Sequence, residues 1–254
     1  MLVYILLVIL SAITPGVRSL RFQLENRILG GSEASTNDFP SLVAIFRQSE
    51  QTCGGTLISP KHVLTAAHCI YEGKPYEYSI LAGVTNLVDY QGIRIDVRGK
   101  MRHPNYHPPI PNFHHLKNDI GVLKLVSSID VTAPNIAIAK LPARNLTPRT
   151  VGLTGGWGSL NKKGEKSDYL RKAVVYVWPL SHCQAKFSWH TNDQFCGSGY
   201  DVPTNMCYGD SGGPFMVGDT IFGVLSVATC TFRGTITYTK VYSHLTFLEV
   251  ALKF

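Results

Sequence analysis

Short apolar or alternating segments recur along this chain, and clusters of turn-forming residues separate them. Each segment is five to seven residues long, which is a typical length for a β-strand. Alternation also indicates strands, because successive side chains of a strand point to opposite faces. The predicted strands are 41–47, 54–59, 62–66, 93–97, 120–125, 172–177, 221–227 and 235–241. The pattern therefore predicts an all-β protein.

A helical period is present only near the C-terminus. Leu245, Leu248 and Leu252 recur at intervals of three and four residues, which places them on one face of a helix. We predict that the last dozen residues form an amphipathic helix that packs its apolar face onto the body of the protein.

Composition favours one globular body, which can consist of two sub-domains. Of the 254 residues, 44% are hydrophobic, and 23 glycines with 14 prolines are present. This apolar content can bury a sizeable core, and the glycines and prolines supply many turns between short strands.

The N-terminal segment is typical of a secretory signal peptide. The chain is apolar from Leu2 to about Ile13 and then reads Pro-Gly-Val-Arg-Ser at 15–19. Such a run is too short for a membrane-spanning helix, although a membrane anchor remains the alternative. We predict a signal peptide at 1–19, a secreted, extracellular protein and no membrane anchor.

Six cysteines in a chain predicted to be secreted indicate disulfide bonds formed in an oxidising compartment. Counting alone leaves fifteen possible pairings. The alternative, free thiols or a zinc site, is not favoured because no Cys-x-x-Cys pair occurs.

The charge distribution predicts no nucleic-acid partner. The formal net charge is +7, and it falls to +5 without residues 1–27, which contain three arginines and one glutamate. Basic residues are scattered apart from a small cluster at 162–166, which is typical of a solvated surface. Weak attraction of acidic substrates remains open.

Three short motifs carry the candidate chemistry. They are Thr-Ala-Ala-His-Cys at 65–69, Asn-Asp-Ile at 118–120 and Gly-Asp-Ser-Gly-Gly-Pro at 209–214. A serine hydroxyl is a poor nucleophile at neutral pH, so it needs a base, and the base needs a partner that fixes its tautomer. His68, Asp119 and Ser211 supply these residue types in one of the chain orders known for this chemistry.

At these motifs the sequence resembles the chymotrypsin/trypsin family of serine proteases, from about Ile28 to the C-terminus. The resemblance implies a protease domain at 28–254 that consists of two six-stranded antiparallel β-barrels, with the active site between them and a C-terminal helix. Residues 127–140 carry few strand signals and are the candidate connector between the barrels.

The resemblance also implies the role of each candidate catalytic residue. Ser211 would be the nucleophile, His68 the base and Asp119 the carboxylate that orients the base. The backbone N–H groups of Gly209 and Ser211 would form the oxyanion hole, and Ser226 would contact Asp119.

The resemblance further implies three disulfide pairs: Cys53 with Cys69, Cys183 with Cys196, and Cys207 with Cys230. The first pair closes a short loop and is expected to contribute about 3 kcal/mol through the restricted unfolded chain.

A zymogen junction is expected at Arg27-Ile28, where the chain continues as Leu-Gly-Gly. By resemblance, cleavage after Arg27 by an arginine-specific protease would remove a propeptide at 20–27. The new ammonium group of Ile28 would then pair with Asp210, because a buried carboxylate is costly without a partner. The alternative is an ordinary surface arginine before a turn.

The expected substrate pocket is uncharged. By resemblance the floor of the pocket is Asn205; a carboxylate at that position would instead select Lys or Arg. The walls would be Ala228 and Ile236, with Ser226 nearby. A branched side chain at position 236 should shorten the pocket, which predicts cleavage after Ala, Val or Leu, as in elastase-like members. A chymotrypsin-like preference for large apolar residues is the alternative, and it requires Ile236 to point away.

Two further features lie outside the motifs. Asn145 begins an Asn-Leu-Thr sequon, which predicts N-glycosylation in a secreted chain. The proline-rich segment 105–115 is expected to overhang the substrate cleft, and a zinc site among its neighbouring histidines is the alternative, although their spacing fits no standard site.

The sequence as a whole predicts a secreted serine endopeptidase made as a zymogen. The expected partners are protein or peptide substrates, the activating protease and protein protease inhibitors, and we predict a monomer without a cofactor or metal. A weakly catalytic binding protein built on the same fold is the second hypothesis.

Overall fold

Twelve of thirteen strands form two barrels in the part of the chain that the computed structural model describes, residues 31–88, 91–108, 116–201 and 204–254. The signal peptide and propeptide predicted at 1–19 and 20–27, together with Arg27 and Ile28, lie outside these residues. The C-terminal part of the proline-rich segment, 109–115, lies outside them as well.

The first barrel closes six antiparallel strands in the spatial order β2-β3-β4-β7-β6-β5. These strands are β2 Leu42–Arg47, β3 Glu50–Ser59, β4 His62–Thr65, β5 Tyr78–Ala82, β6 Ile93–Arg102 and β7 Gly121–Leu125. The strands bury Val, Ile and Leu side chains that belong to one continuous apolar core.

The second barrel closes six more antiparallel strands, because β8 pairs with both β11 and β9. Its strands are β8 Val151–Gly156, β9 Arg171–Val177, β10 Gln194–Gly199, β11 Pro214–Val217, β12 Thr220–Ala228 and β13 Ile236–Lys240. Three aromatic rings lie in its core, with the centroids of Phe195 and Tyr238 5.0 Å apart and those of Phe195 and Phe215 5.2 Å apart. The expected two-barrel, all-β fold is confirmed.

The first and last of the described elements each connect the two barrels. The short strand β1, Ser32–Glu33, pairs with β9 of the second barrel. The C-terminal helix α2, Leu245–Ala251, follows the second barrel but buries Leu248, Phe247 and Ala251 in the core of the first. The helix is therefore present as expected, and its fully buried leucine is Leu248, whereas Leu245 and Leu252 are only partly buried.

All eight predicted strands are present, with some different ends. The largest change is β6, predicted at 93–97 but continuing to Arg102. The segment 127–140 links β7 to β8 without a helix or strand, as expected of a connector. None of the helices in the described ranges is both long and apolar enough to cross a membrane.

Five strands and one helix are absent from the prediction. Strands β8 and β10 contain several glycines and β11 begins with a proline, so the usual strand signals are weak in them. Strand β5 is buried on both faces, which removes alternation, and β1 has only two residues. The helix α1, Leu180–Lys186, has seven residues, too few for a helical period to emerge.

All three expected disulfides are formed: Cys53–Cys69, Cys183–Cys196 and Cys207–Cys230. The first lies in the first barrel, between β3 and the helical turn His68–Ile70. The second joins α1 to β10, and the third joins the segments that precede β11 and β13. These bonds therefore tie helical and irregular segments to the two barrels and to one another.

Candidate active site

His68 and Asp119 meet at one edge of the first barrel. His68 opens the helical turn that follows β4, and Asp119 lies two residues before β7, the strand that pairs with β4. The imidazole Nδ1–H donates to Asp119 Oδ2 at 2.7 Å, and the backbone N–H of His68 donates to Asp119 Oδ1 at 2.9 Å. Both carboxylate oxygens thus hold the same histidine, which leaves Nε2 as the free base.

The second barrel also binds Asp119. The hydroxyl of Ser226, from β12, donates to Asp119 Oδ2 at 2.7 Å, and the hydroxyl of Thr239, from β13, donates to the Asp119 carbonyl at 2.9 Å. The residue is completely buried, so the Ser226 hydrogen bond replaces water that the carboxylate needs, and the Thr239 hydrogen bond satisfies the backbone carbonyl. The expected contact of Ser226 with Asp119 is present. The sequence analysis did not predict the contact of Thr239.

Two opposing effects act on the pKa of His68. Burial lowers it, because the charged imidazolium loses water, but the negative charge and the hydrogen bond of Asp119 raise it more strongly. The net result is a pKa above its ordinary value. Asp119 therefore makes the histidine a stronger base.

Ser211 lies on a tight loop that the first barrel supports. Its carbonyl accepts a hydrogen bond from Gly54 N–H of β3 at 2.8 Å, and the next residue, Gly212, donates to Leu225 of β12 at 2.8 Å. Among the described residues there is no hydrogen bond between the Ser211 hydroxyl and His68, whose Nε2 lies 3.7 Å from Cys69 Sγ. Such contacts are often long without substrate and tighten when it binds.

Gly209 lies in a tight loop with a positive φ. Its φ is +95°, a value that glycine adopts without strain. The preceding carbonyl, of Tyr208, accepts a hydrogen bond from Ser159 N–H at 2.7 Å. Because C=O and N–H point in opposite directions across a planar trans peptide, the Gly209 N–H points away from Ser159.

Asp210 is buried between the nucleophile loop and the segment after β8. Its two oxygens accept hydrogen bonds from Gly158 N–H at 2.8 Å and Cys207 N–H at 2.9 Å. Burial raises its pKa to about 7, and these two bonds only partly oppose the shift. No cationic side chain contacts it within the described ranges, and its expected partner, the amine of Ile28, lies outside them.

A pocket of about 230 Å³ opens beside Ser211. It is lined by Leu116, Cys207, Tyr208, Ser211, Ser226, Val227, Ala228 and Cys230. None of these lining residues is charged, and the Cys207–Cys230 disulfide contributes to them. The pocket therefore suits an uncharged side chain.

Asn205 lies in a closed polar cluster with the two threonines that flank Cys230. It is completely buried, and its Nδ2 group donates to Thr229 Oγ1 at 2.8 Å and to the Thr231 carbonyl at 2.7 Å. A side chain at Gly234 would collide with Thr229 Oγ1 and Asn205 Nδ2. The residues of this cluster do not line the pocket. The sequence analysis named Asn205 but did not anticipate Thr229 or Thr231 as its partners.

Ile236 does not form the wall that the sequence analysis expected from it. Its side chain is completely buried in the apolar core of the second barrel, together with Phe195 and Tyr238. The segment 230–238 is short, and Gly234 rather than residue 236 lies against Asn205. The sequence analysis located this wall only by its spacing from Tyr238. That spacing led to Ile236 instead of Gly234 because the loop before Tyr238 is shorter than the resemblance implied.

Two peripheral candidates have clear surroundings. Asn145 is exposed in the segment before β8, so its side chain is open to solvent. His103 lies against the rings of His244 and Phe247, with centroids 5.3 Å and 5.1 Å away, while His107 is exposed.

One candidate metal-binding group is present among the described residues, and it consists of Cys53, His68 and Cys69. Its two sulfur atoms form the Cys53–Cys69 disulfide, and metals bind the thiolate form of cysteine. The group as it stands therefore supplies a single imidazole nitrogen.

Comparison with known proteins adds a family and several relatives. The family model described as Trypsin matches residues 28–248. A protein described as trypsin, from Saccharopolyspora erythraea, is 33% identical over 201 residues, which are 78% of this chain and 86% of that protein. Human kallikrein-11 is 30% identical over 236 residues, which are 90% of this chain and 82% of that protein.

A solved structure, of the serine protease neuropsin from mouse brain, has the same fold. It superposes with a TM-score of 0.78 over 87% of this chain and 98% of its own. Because the sequence identity is 24%, this likeness concerns the arrangement of the two barrels.

Proposed function

The chain belongs to the trypsin family of serine proteases, which hydrolyse peptide bonds, and from that premise we propose a secreted endopeptidase that is made as a zymogen and cleaves after small or medium uncharged residues. The observation that carries the proposal is the buried Asp119 carboxylate, which both barrels bind and which orients His68 beside an uncharged pocket.

Catalysis is assigned to His68, Asp119 and Ser211. The Ser211 hydroxyl attacks the substrate carbonyl carbon while His68 Nε2 takes its proton, and the imidazolium then donates that proton to the leaving amine. Asp119 keeps the Nδ1–H tautomer in place through its 2.7 Å hydrogen bond and stabilises the imidazolium. Water releases the acyl group from Ser211 by the same steps in reverse order.

The oxyanion hole is assigned to the backbone N–H groups of Gly209 and Ser211. The tetrahedral intermediate carries a negative charge on the former carbonyl oxygen, and donors fixed in advance stabilise it without reorganisation. The hydrogen bond from Ser159 N–H to the Tyr208 carbonyl supports this role, because it keeps the Gly209 N–H pointing away from Ser159.

The uncharged preference follows from the pocket. Its lining residues carry no charge, and Asn205 directs its Nδ2 group to Thr229 and Thr231. A Lys or Arg side chain would lose its water there without gaining an anionic partner. The proposal therefore keeps Ala, Val and Leu as preferred residues, because the pocket has a volume of only about 230 Å³ and is uncharged.

Zymogen activation is assigned to Asp210. Its carboxylate is fully buried, and burial raises its pKa, so an ammonium group brought beside it would lower the free energy of the ionised, folded state. Cleavage after Arg27 by an arginine-specific protease would supply that group from Ile28. The loop that carries Gly209 and Ser211 would then be held in its active conformation.

The proposal of a secreted enzyme also assigns partners, processing sites and a glycosylation site. Its partners are protein or peptide substrates, the activating protease and protein protease inhibitors, and the protein acts as a monomer. Residues 1–19 are removed as a signal peptide, 20–27 as a propeptide, and the protease domain is 28–254. Asn145 is a glycosylation site, and its exposed position supports this assignment.

The proposal is tested on the purified zymogen after cleavage at Arg27. We expect a serine-directed organophosphate to label Ser211, and a peptide library to be cut after Ala, Val or Leu. A Ser211→Ala variant, cleaved in the same way, is the control and should be neither labelled nor active. Absence of labelling in the parent protein would instead favour the weakly catalytic binding protein.

The position of Ile236 in the barrel core favours one second candidate, a chymotrypsin-like preference. In that case the same library would be cut after Phe or Tyr more rapidly than after Ala or Val. Cleavage after Arg or Lys would contradict both candidates, because neither provides an anion for the substrate side chain.

A further inference from the structure

Gln51 joins the first barrel to the loop that carries the nucleophile. It lies in β3 and is nearly buried, with 6% of its surface exposed. Its Nε2 group donates one hydrogen bond to the carbonyl of Cys53 at 3.0 Å and another to the carbonyl of Gly209 at 2.9 Å. The two amide hydrogens therefore tie strand β3 to the expected oxyanion loop.

The two peptide groups that flank Gly209 are both held by hydrogen bonds. The carbonyl before it, from Tyr208, accepts from Ser159 N–H at 2.7 Å, and the carbonyl of Gly209 itself accepts from Gln51. Because each peptide group is planar, these two bonds fix the planes on either side of the Gly209 Cα. The Gly209 N–H lies in the first plane, which Ser159 holds, and the second plane, which Gln51 holds, limits rotation about the Gly209 Cα.

A glycine at this position needs such support. The φ of +95° at Gly209 is one of many backbone conformations that glycine adopts at little cost, and rotation of the preceding peptide would aim the N–H elsewhere. A Cβ built on Gly209 would lie 3.0 Å from Gln51 Oε1 and 3.2 Å from Gly158 Cα. Gln51 and Gly158 thus form the two surfaces between which the glycine backbone sits.

The oxygen of the same Gln51 amide is not satisfied. Its Oε1 atom is buried and has no hydrogen-bond partner among the described residues. A buried orphan acceptor is costly, and an apolar side chain of the same length would avoid that cost. A residue that costs stability while it holds a functional loop is better explained by a role in catalysis than by a role in folding.

We propose that Gln51 is a positioning residue for the oxyanion hole, because its Nε2 group holds the peptide that follows Gly209 and so limits rotation of the preceding peptide, which Ser159 holds and which carries the N–H aimed at the substrate oxygen. This role rests on the proposed protease function and adds a residue to it that the sequence motifs do not contain. Gln51 touches neither the substrate nor the reacting atoms, and it acts through Gly209.

The test compares three variants of the activated enzyme. Gln51→Met keeps the length of the side chain and removes both donors, and Gln51→Glu keeps its size and polarity but has no donor when ionised. Thr56→Val is the matched control, because Thr56 lies in the same strand, is fully buried and has an Oγ1 without a partner. Active-site titration normalises each rate to the competent molecules, so partial misfolding does not affect kcat.

We expect kcat of Gln51→Met and Gln51→Glu to fall about tenfold, less than the 10²- to 10³-fold that follows complete loss of an oxyanion donor, with KM within twofold of the parent. A peptide boronate, which forms a tetrahedral adduct at Ser211, should bind more weakly by the same factor as kcat. A peptide acid that resembles the product should bind as before, and Thr56→Val should match the parent in all four measurements.

The positioning role is refuted if both Gln51 variants keep kcat within twofold, if the loss is in KM alone, or if Thr56→Val loses as much. Failure of the proposed function looks different, since the parent protein would then show no labelling of Ser211 and no turnover. A Gln51 variant that yields no folded protein leaves the other variant to decide, because both remove the same donor.

Discussion

Asp119 is the residue on which the candidate site depends most directly. Its carboxylate accepts three hydrogen bonds, two from His68 and one from Ser226. It also raises the pKa of His68 against the opposing effect of burial. Orientation of the base and the strength of the base therefore have a common source, and one substitution should change both.

We predict that Asp119→Asn lowers kcat about 10³- to 10⁴-fold, because an amide can hold the wrong imidazole tautomer. In the parent enzyme, kcat/KM should decline as the pH falls through the raised pKa of His68, since the protonated imidazole cannot act as a base. Without the carboxylate, this decline should move to lower pH. A pH profile of kcat/KM for both proteins measures the shift.

Asp219→Asn is the control for this prediction. Asp219 is an exposed carboxylate paired with Lys140, so its removal changes the net charge by the same amount without reaching the site. We expect an unchanged kcat and pH profile. A profile of Asp119→Asn that stays in place, or moves to higher pH, would contradict the assigned role.

Strand β3 is the element that joins the first barrel to the nucleophile loop. Gly54 N–H donates to the Ser211 carbonyl at 2.8 Å, and the Gly54 carbonyl accepts from Thr65 Oγ1 at 2.8 Å. Gly212 packs against both groups, and a Cβ there would collide with Thr65 Oγ1 and the Gly54 carbonyl. The loop therefore approaches β3 so closely that side chains are excluded at the contact.

We predict that Gly212→Ala lowers the free energy of unfolding by about 3 kcal/mol or more, since it combines a positive φ with overpacking. It should also abolish most turnover, because the collision displaces the adjacent Ser211. Denaturant unfolding and kcat per titrated site measure the two effects.

Gly218→Ala is the matched control for Gly212→Ala. Its φ of +61° is positive, like the +78° of Gly212, but a Cβ there meets no atom within 4 Å. This turn variant should lose about 1 kcal/mol from backbone strain alone and keep its kcat. Equal losses in the two variants would show that the contact with β3 is unimportant.

The molecule as a whole is held together by the first and last of its described elements, which each connect the two barrels. Strand β1 pairs with the second barrel, and α2 packs on the first. The proposed activation uses the same arrangement, since the chain just before β1 is the segment that must bring a new N-terminus to Asp210. Activation should therefore change the stability of the protein as well as its activity.

We predict that the uncleaved chain loses stability between about pH 4 and pH 7. The folded state keeps a proton on Asp210 up to a pKa of about 7, whereas the unfolded chain releases it near 3.9. The unfolded state therefore binds fewer protons in this interval, so the free energy of unfolding falls as the pH rises. Thermal midpoints at intervals of one pH unit measure the trend.

Two comparisons isolate Asp210 in this experiment. The chain cleaved after Arg27 should show a weaker decline, because the Ile28 ammonium group stabilises the ionised carboxylate. Uncleaved Asp210→Asn should show a weaker decline as well, because the titrating group is gone. An identical pH dependence in all three proteins would contradict the proposed switch.

Much of the fold and of the site could be predicted from the chain alone. Alternating segments such as 93–97 and 172–177 show which side chains face a core, because burial of one strand face leaves a period of two in the sequence. The motifs around His68, Asp119 and Ser211 identified the family, and the three disulfides followed from the resemblance.

The rest depended on distances through space. Strands rich in glycine or proline, such as β10 and β11, are set by their neighbours in the sheet rather than by their own pattern. The burial of Ile236 depends on the length of the loop before it. The bond between Gln51 and Gly209 joins residues 158 positions apart, and no local signal records such a contact because only the packing of two barrels creates it.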